Sequence, residues 1–221
     1  MDDRFIRQTE AVTENFYQDP ILVVGCGAVG REVAVQLAAM GAKNIQLCDF
    51  DVVEPTNVTT QGYRKKDLGK PKVRALASAM KELDLEGDLK VQILNGIFDP
   101  ADLKLTPKIV FSCPDNMIAR RQVYEYAANT DSVELLVDGR MLGPNFNILA
   151  NTRKTFPKYE RSLFGDQDAM EGRCTNRSNR FCAAALASML ILQYSNYMRR
   201  LPLMEDTLCN MIGCVFIPMN R

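Results

Sequence analysis

Three glycines, Gly25, Gly27 and Gly30, stand in the order G-x-G-x-x-G within "ILVVGCGAVGREVAVQLAAMGAKNIQLCDFD", residues 21–51. Glycines at this spacing let the backbone approach a phosphate group, and the N-terminus of a helix starting there favours its negative charge. Asp49 follows at a distance suited to accepting hydrogen bonds from a ribose. This set points to a nucleotide but does not choose one. A dinucleotide would make the protein a redox enzyme, and ATP would make it something different. The next stretch, "DFDVVEPTNVTTQGYRKKDLGKPKVRA", carries Asp51, Asn57, Gln61 and Lys72 and is richer in polar groups than a dehydrogenase needs there. A second kind of chemistry lies far downstream. Cys174 sits in a loop between Arg173 and Arg177, just before an apolar helical run. Nearby positive charge and a helix N-terminus both favour a thiolate.

These groups need elements to hold them. Ile21–Gly25 is a continuous apolar run of the kind found in buried parallel strands. Val29, Val33, Leu37 and Met40 recur at helical spacing, which predicts a helix over 28–40. Strands follow at 45–49, 90–94, 109–112, 135–138 and 145–150, with helices at 70–83 and 116–129 between them. This alternation implies an α/β fold: a Rossmann-like, doubly wound, mostly parallel sheet with helices on both faces and an antiparallel C-terminal part. Residues 1–19 form a polar N-terminal arm. Residues 151–173 are charged and aperiodic and are expected to be a long crossover loop, usually a functional or mobile feature. "FCAAALASMLILQYSNYM" is an apolar helix, and "CVFIP" suggests a last edge strand. One domain over 1–221 accounts for the whole pattern.

Composition narrows the function. Lys plus Arg and Asp plus Glu both number 27, so a basic excess for nucleic acid is lacking. No apolar run approaches the roughly 18 residues of a membrane-spanning helix. The charged start "MDDRFIRQTE" is unlike a signal peptide, so a cytoplasmic protein is expected. The chain has no His, which removes His-based acid–base catalysis and His metal ligands. Its seven Cys include no C-x-x-C pair, so no zinc is expected and reduced thiols are the default. Cys26, Cys48, Cys113 and Cys182 read as small buried residues.

The motifs together resemble the ThiF/MoeB/HesA family, bacterial relatives of ubiquitin-activating enzymes. The resemblance rests on "DFD" after the second strand, "NVTTQ", the "GKPK" lysine, "RFIRQ" near the start, and "CPDNMIARRQVYEYA". "LLVDGRM" and "GRCTNRSNRFCAAALASM" extend it across nearly the whole chain. It implies adenylation of the C-terminal carboxylate of a ubiquitin-like protein, a sulfur carrier or a peptide, with ATP and Mg²⁺. Asn57 and Gln61 would then orient phosphates, Lys72 would neutralise them, and Asp115 would hold Mg²⁺. Arg7 would reach the ATP of a second subunit in a homodimer. Cys174 would take the acyl group as a thioester or join in sulfur transfer.

Each role has a plainer rival. Asp115 could be a helix cap, Lys72 a solvated charge, Asp51 a loop-positioning group and Cys174 an unreactive thiol. Arg140 could guide an acidic terminus or merely pair with an acid. The family's Arg before Gln61 is Thr60 here, leaving Arg64, Lys65 or Lys66 to replace its charge. That departure is the one feature favouring a third function, a nucleotide-binding protein without catalysis. The second, an NAD(P)-dependent oxidoreductase, would need neither Lys72 nor Asp115.

Overall fold

The computed structural model describes residues 7, 10–12, 16, 18–165 and 180–219. One eight-stranded sheet runs through them in the order β3-β2-β1-β4-β5-β6-β7-β8. The strands are β1 (Ile21–Val24), β2 (Asn44–Cys48), β3 (Lys90–Leu94), β4 (Ile109–Ser112), β5 (Leu135–Leu142), β6 (Asn145–Thr152), β7 (Thr207–Asn210) and β8 (Val215–Pro218). The first five are parallel and the last three pairings antiparallel. The helices are α1 (Ala28–Ala39), α2 (Pro55–Thr60), α3 (Lys72–Lys81), α4 (Met117–Asn129), α5 (Phe156–Arg161) and α6 (Arg180–Met198).

Alternate residues of each central strand point to opposite faces, and both faces are covered. Ile21, Val23, Ile45, Leu47, Ile109 and Phe111 join α1, α3 and α6 in one core. Leu22, Val24, Val110 and Leu136 join Val123 and Tyr124 of α4 and Phe156 and Tyr159 of α5 in the other. That is why β1 and β4 are buried at every position and carry unbroken apolar runs. α1 ends where Gly41, at φ +95°, accepts the left-handed turn. There Ala42 N–H reaches Leu37 O at 3.0 Å and Gly41 N–H reaches Ala38 O, also at 3.0 Å, the paired bonds that close a helix C-terminus. α6 crosses close over β5: a Cβ at Gly139 would lie 2.7 Å from Leu190 Cδ1.

Some expectations are corrected. Residues 151–173 are not all loop, since β6 continues to Thr152 and α5 follows. Phe156 and Tyr159, three apart, are buried against the sheet, but one turn and a half is too short for a helical period to show. Residues 166–179 lie outside the described residues. β5 runs four residues past Asp138, because β6 folds back on it antiparallel. α2 and β7 have no counterpart in the expected pattern. Among the described residues, no helix is long and apolar enough to cross a membrane.

Candidate active site

Strand order reverses about β1, whose neighbours β2 and β4 lead to opposite sides of the sheet. Crevices beyond the carboxyl ends of strands at such a point are where open α/β sheets bind ligands. Val24 is in register with Cys48 and with Ser112, and Ser112 with Asp138. The glycine turn, Asp49 and Asp115 therefore leave the sheet along one edge.

The three glycines divide the work. Gly25 has φ +88°, and a Cβ on it would sit 2.5 Å from Cys113 O. A Cβ on Gly30 would meet Gly25 O at 1.8 Å. These two are needed for the turn itself to close. Gly27 caps α1 and would find nothing within 4 Å of a Cβ, so it faces the open space that a phosphate would fill. Asp49 Oδ2 accepts Cys26 N–H at 2.6 Å, and its Oδ1 accepts Asp51 N–H at 2.8 Å. Tyr63 donates its hydroxyl to Cys26 O at 2.7 Å. Burial, with Asp49 next, pushes the Cys26 thiol well up, so it is filler and not a nucleophile.

Lys72 is not a solvated charge. It is the first residue of α3, its side chain is only 7% exposed, and Nζ lies 2.7 Å from Asp51 Oδ2. Asp51 is the more exposed partner and takes one of the three ammonium protons. Asn57 is buried in the first turn of α2 and closes a capping box with Glu54, its Oδ1 accepting Glu54 N–H at 2.8 Å. Gln61 ends that helix with Oε1 buried and unpartnered. Thr60 is half-buried and neutral, its hydroxyl donated to Thr56 O. Arg64 and Lys66 do not stand in for the missing arginine. Both are committed to Glu82, at 2.6 and 3.0 Å, and hold that carboxyl below its usual range. Lys65 is exposed on the same turn.

Asp115 is not the cap of α4. Asn116 is, accepting Ala119 N–H at 2.8 Å. Asp115 is exposed, with Asn116 Nδ2 at 3.1 Å from its Oδ1. Beneath it lies a buried network that was not anticipated. Asp138, fully buried, accepts from Arg120, from Arg140 Nε at 2.7 Å and from Tyr159 at 3.0 Å. Arg120 also donates to Pro114 O and Gly139 O, which fixes the backbone leading into Asp115. Burial pulls the Arg120 guanidinium down to about 10, which leaves it charged near neutral pH. Arg140 spends two further donors on Ser162, so the structure favours its role as an acid's partner.

Arg31 and Tyr63 were also missed. The only sign of Arg31 was a charge on the inner side of an otherwise apolar helix. Cys182 and Cys48 are buried, as expected, while Cys113 is half-buried; desolvation pushes Cys48 and Cys113 up to about 12. Cys174 and its flanking arginines lie outside the described residues. Arg7 is exposed. Among the described residues, no group of three or more His, Cys, Asp or Glu is placed to hold a metal. A Mg²⁺ held by one carboxylate and by substrate phosphates would not need such a group.

Comparison with known proteins decides the family. A profile described as "ThiF family" matches residues 6–214. The chain belongs to the ThiF family. Within that family it is 29% identical over 107 residues to the molybdopterin-synthase adenylyltransferase of Escherichia coli, covering 47% of this chain and 42% of the relative. It is 42% identical over 65 residues to the bovine adenylyltransferase and sulfurtransferase MOCS3, covering 29% and 14%. These matches span less than half the length of either relative. E. coli MccB, solved with AMPCPP and MccA, shares the fold at TM-score 0.77 and 17% identity, over 99% of this chain and 71% of that one.

Proposed function

We propose that this ThiF-family chain adenylates the C-terminal carboxylate of a small ubiquitin-like protein, a sulfur carrier or a peptide in the cytoplasm. The observation that carries the reading is the single sheet edge on which the open Gly27 cradle, the buried Lys72 and the exposed Asp115 all sit. The carboxylate oxygen attacks the α-phosphorus of ATP. A C–O–P bond forms and the bond to pyrophosphate breaks. Negative charge spreads over phosphate oxygens, so cations and fixed N–H donors matter more than a proton acceptor. A chain without His is suited to that. Gly27 and the N-terminus of α1 bind the phosphates, Lys72 neutralises them, and Asp49 accepts from the ribose with the lone pairs its backbone bonds leave free. Asp115 would hold Mg²⁺, which supplies further positive charge to the phosphates. A homodimer with Arg7 acting across it, and capture of the acyl group by Cys174, complete the proposal. E. coli MccB, crystallised with a nucleotide analogue and MccA, supports a peptide as one form of acceptor.

ATP–pyrophosphate exchange with candidate C-terminal peptides, beside calorimetry with ATP–Mg²⁺ and with NAD, tests the reading. Exchange and ATP binding are expected, and Cys174→Ala should keep both while losing any thiol-sensitive adduct seen by mass spectrometry. Tight NAD binding without ATP binding would overturn it.

A further inference from the structure

Three helices, α3, α1 and α6, lie side by side on one face of the sheet, α1 between the other two. Each has a cation in its first turn and no acid there: Lys72, Arg31 and Arg180 respectively. A cation at a helix N-terminus opposes the positive end of the dipole; Asp51 already answers Lys72 and Glu32 answers one edge of Arg31, which leaves Arg180 and the rest of the Arg31 fork without an anion among the described residues. Arg31 and Arg180 also converge. The point that a Cβ on Gly62 would occupy lies 2.9 Å from Arg31 Nη1 and 3.3 Å from Arg180 Nη2.

Arg31 is the better-built of the two. The residue is only 8% exposed, and its guanidinium lies over the ring of Tyr63, 5.4 Å from the centroid. Tyr63 in turn is bonded to Cys26 O in the glycine turn, so the guanidinium is held beside that turn. Nη1 pairs with Glu32 at 3.0 Å, yet Nε is buried with no partner. Gln61 Oε1, adjacent in sequence to Gly62, is buried and unpartnered as well. Buried polar atoms without partners are rare because each costs free energy, so the Arg31 Nε donor beside a phosphate-binding turn marks a missing acceptor, whereas the Gln61 oxygen, itself an acceptor, is not one that a phosphate would satisfy. Arg180 is exposed, and among the described residues no acid pairs with it.

We propose that Arg31 and Arg180 clamp the outer phosphates of the nucleotide, the pair that leaves as pyrophosphate. This rests on the adenylation reading for the identity of the nucleotide, but the oxyanion site itself does not. Arg31 would use Nε and a free edge of its fork, the planar geometry that suits phosphate oxygens. Thr60 then needs no replacement within its own helix, because the charge comes from the first turn of α1.

Calorimetry with inorganic pyrophosphate, ATP–Mg²⁺ and AMP, on the wild-type chain and on Arg31→Gln and Arg180→Gln, tests the clamp. Each variant should bind pyrophosphate and ATP roughly tenfold or more weakly, the usual effect of losing a charge-assisted hydrogen bond, and AMP unchanged. A merely structural role would weaken AMP and ATP together, and that result, or no weakening at all, would overturn the proposal. Arg31→Gln also removes the Tyr63 contact. If that variant does not fold, Arg180→Gln, at an exposed position, carries the test. Should the wild type bind pyrophosphate but no ATP, the adenylation reading and the nucleotide clamp fail while the oxyanion site at Arg31 and Arg180 stands.

Discussion

Asp115 stands in water beside one neighbouring amide, while the acid behind it, Asp138, is sealed in and bonded on both oxygens. The contrast separates a group free to take a ligand from one that holds backbone in place. Asp115→Ala should therefore leave the melting temperature unchanged and lower ATP–pyrophosphate exchange by about a hundredfold or more, as loss of one charge-stabilising contact does. Full exchange in this variant would reduce Asp115 to a surface residue. The exposed candidates were legible because their types and order are what a phosphate chemistry uses. The buried ones, Arg31 and Arg120, were not. A charge inside a helix pattern looks like a break in its apolar face, and only the fold shows what encloses it. Lys72 was legible as a cation, but its burial against Asp51 depends on the loop between β2 and α3 returning to the sheet edge.

At the scale of elements, long periodic segments could be read closely and short ones could not. α1, α4 and four of the five parallel strands needed at most small boundary shifts, whereas β5 ran four residues longer than expected. α2 and α5, six residues each, depend on a proline start and a few tertiary contacts, so they leave no period to detect. The glycine turn offers a sharper distinction. Sequence alone treats its three glycines alike, whereas the structure gives two to packing and one to open space. Gly30→Ala would push a methyl into Gly25 O. It should cost about 3 kcal/mol, near the upper end of overpacking penalties, and lower the melting temperature by roughly 6–12 °C. Gly27→Ala has ordinary backbone angles, φ −73° and ψ −155°, so the fold should tolerate it. Its methyl occupies the cradle, and ATP affinity should drop about tenfold or more, as for other misfits of one methyl group. Thermal melts and calorimetry on the two variants would separate these effects. Equal melting losses in both would mean that Gly27 is a packing glycine too.

For the whole molecule, the question is which nucleotide Arg7 can serve. The N-terminal arm is tied to the far end of α6. Ser195 donates to Ala11 O at 2.5 Å, and Phe16 stacks on Tyr194 at 5.1 Å. The carboxyl edge, with its glycine turn, lies at the other end of that helix, where Arg180 begins it. From Arg180 to Ser195 the helix rises ~22 Å. The four residues from Ala11 back to Arg7 span at most ~14 Å even fully extended. The backbone at Arg7 thus falls short of its own site by about the length of its side chain, and in the proposed homodimer that side chain would serve the second subunit's nucleotide instead. The motif "RFIRQ" implies the same role by resemblance. Arg7→Ala and Asp115→Ala chains should each be inactive alone. When mixed, a heterodimer would join one intact Arg7 to one intact Asp115, and random pairing should restore about a quarter of wild-type exchange in a two-site dimer. Native mass spectrometry would confirm that subunits have exchanged. Recovery after exchange places Arg7 in its partner's site, and silence despite exchange would show that the arm does not act across the dimer.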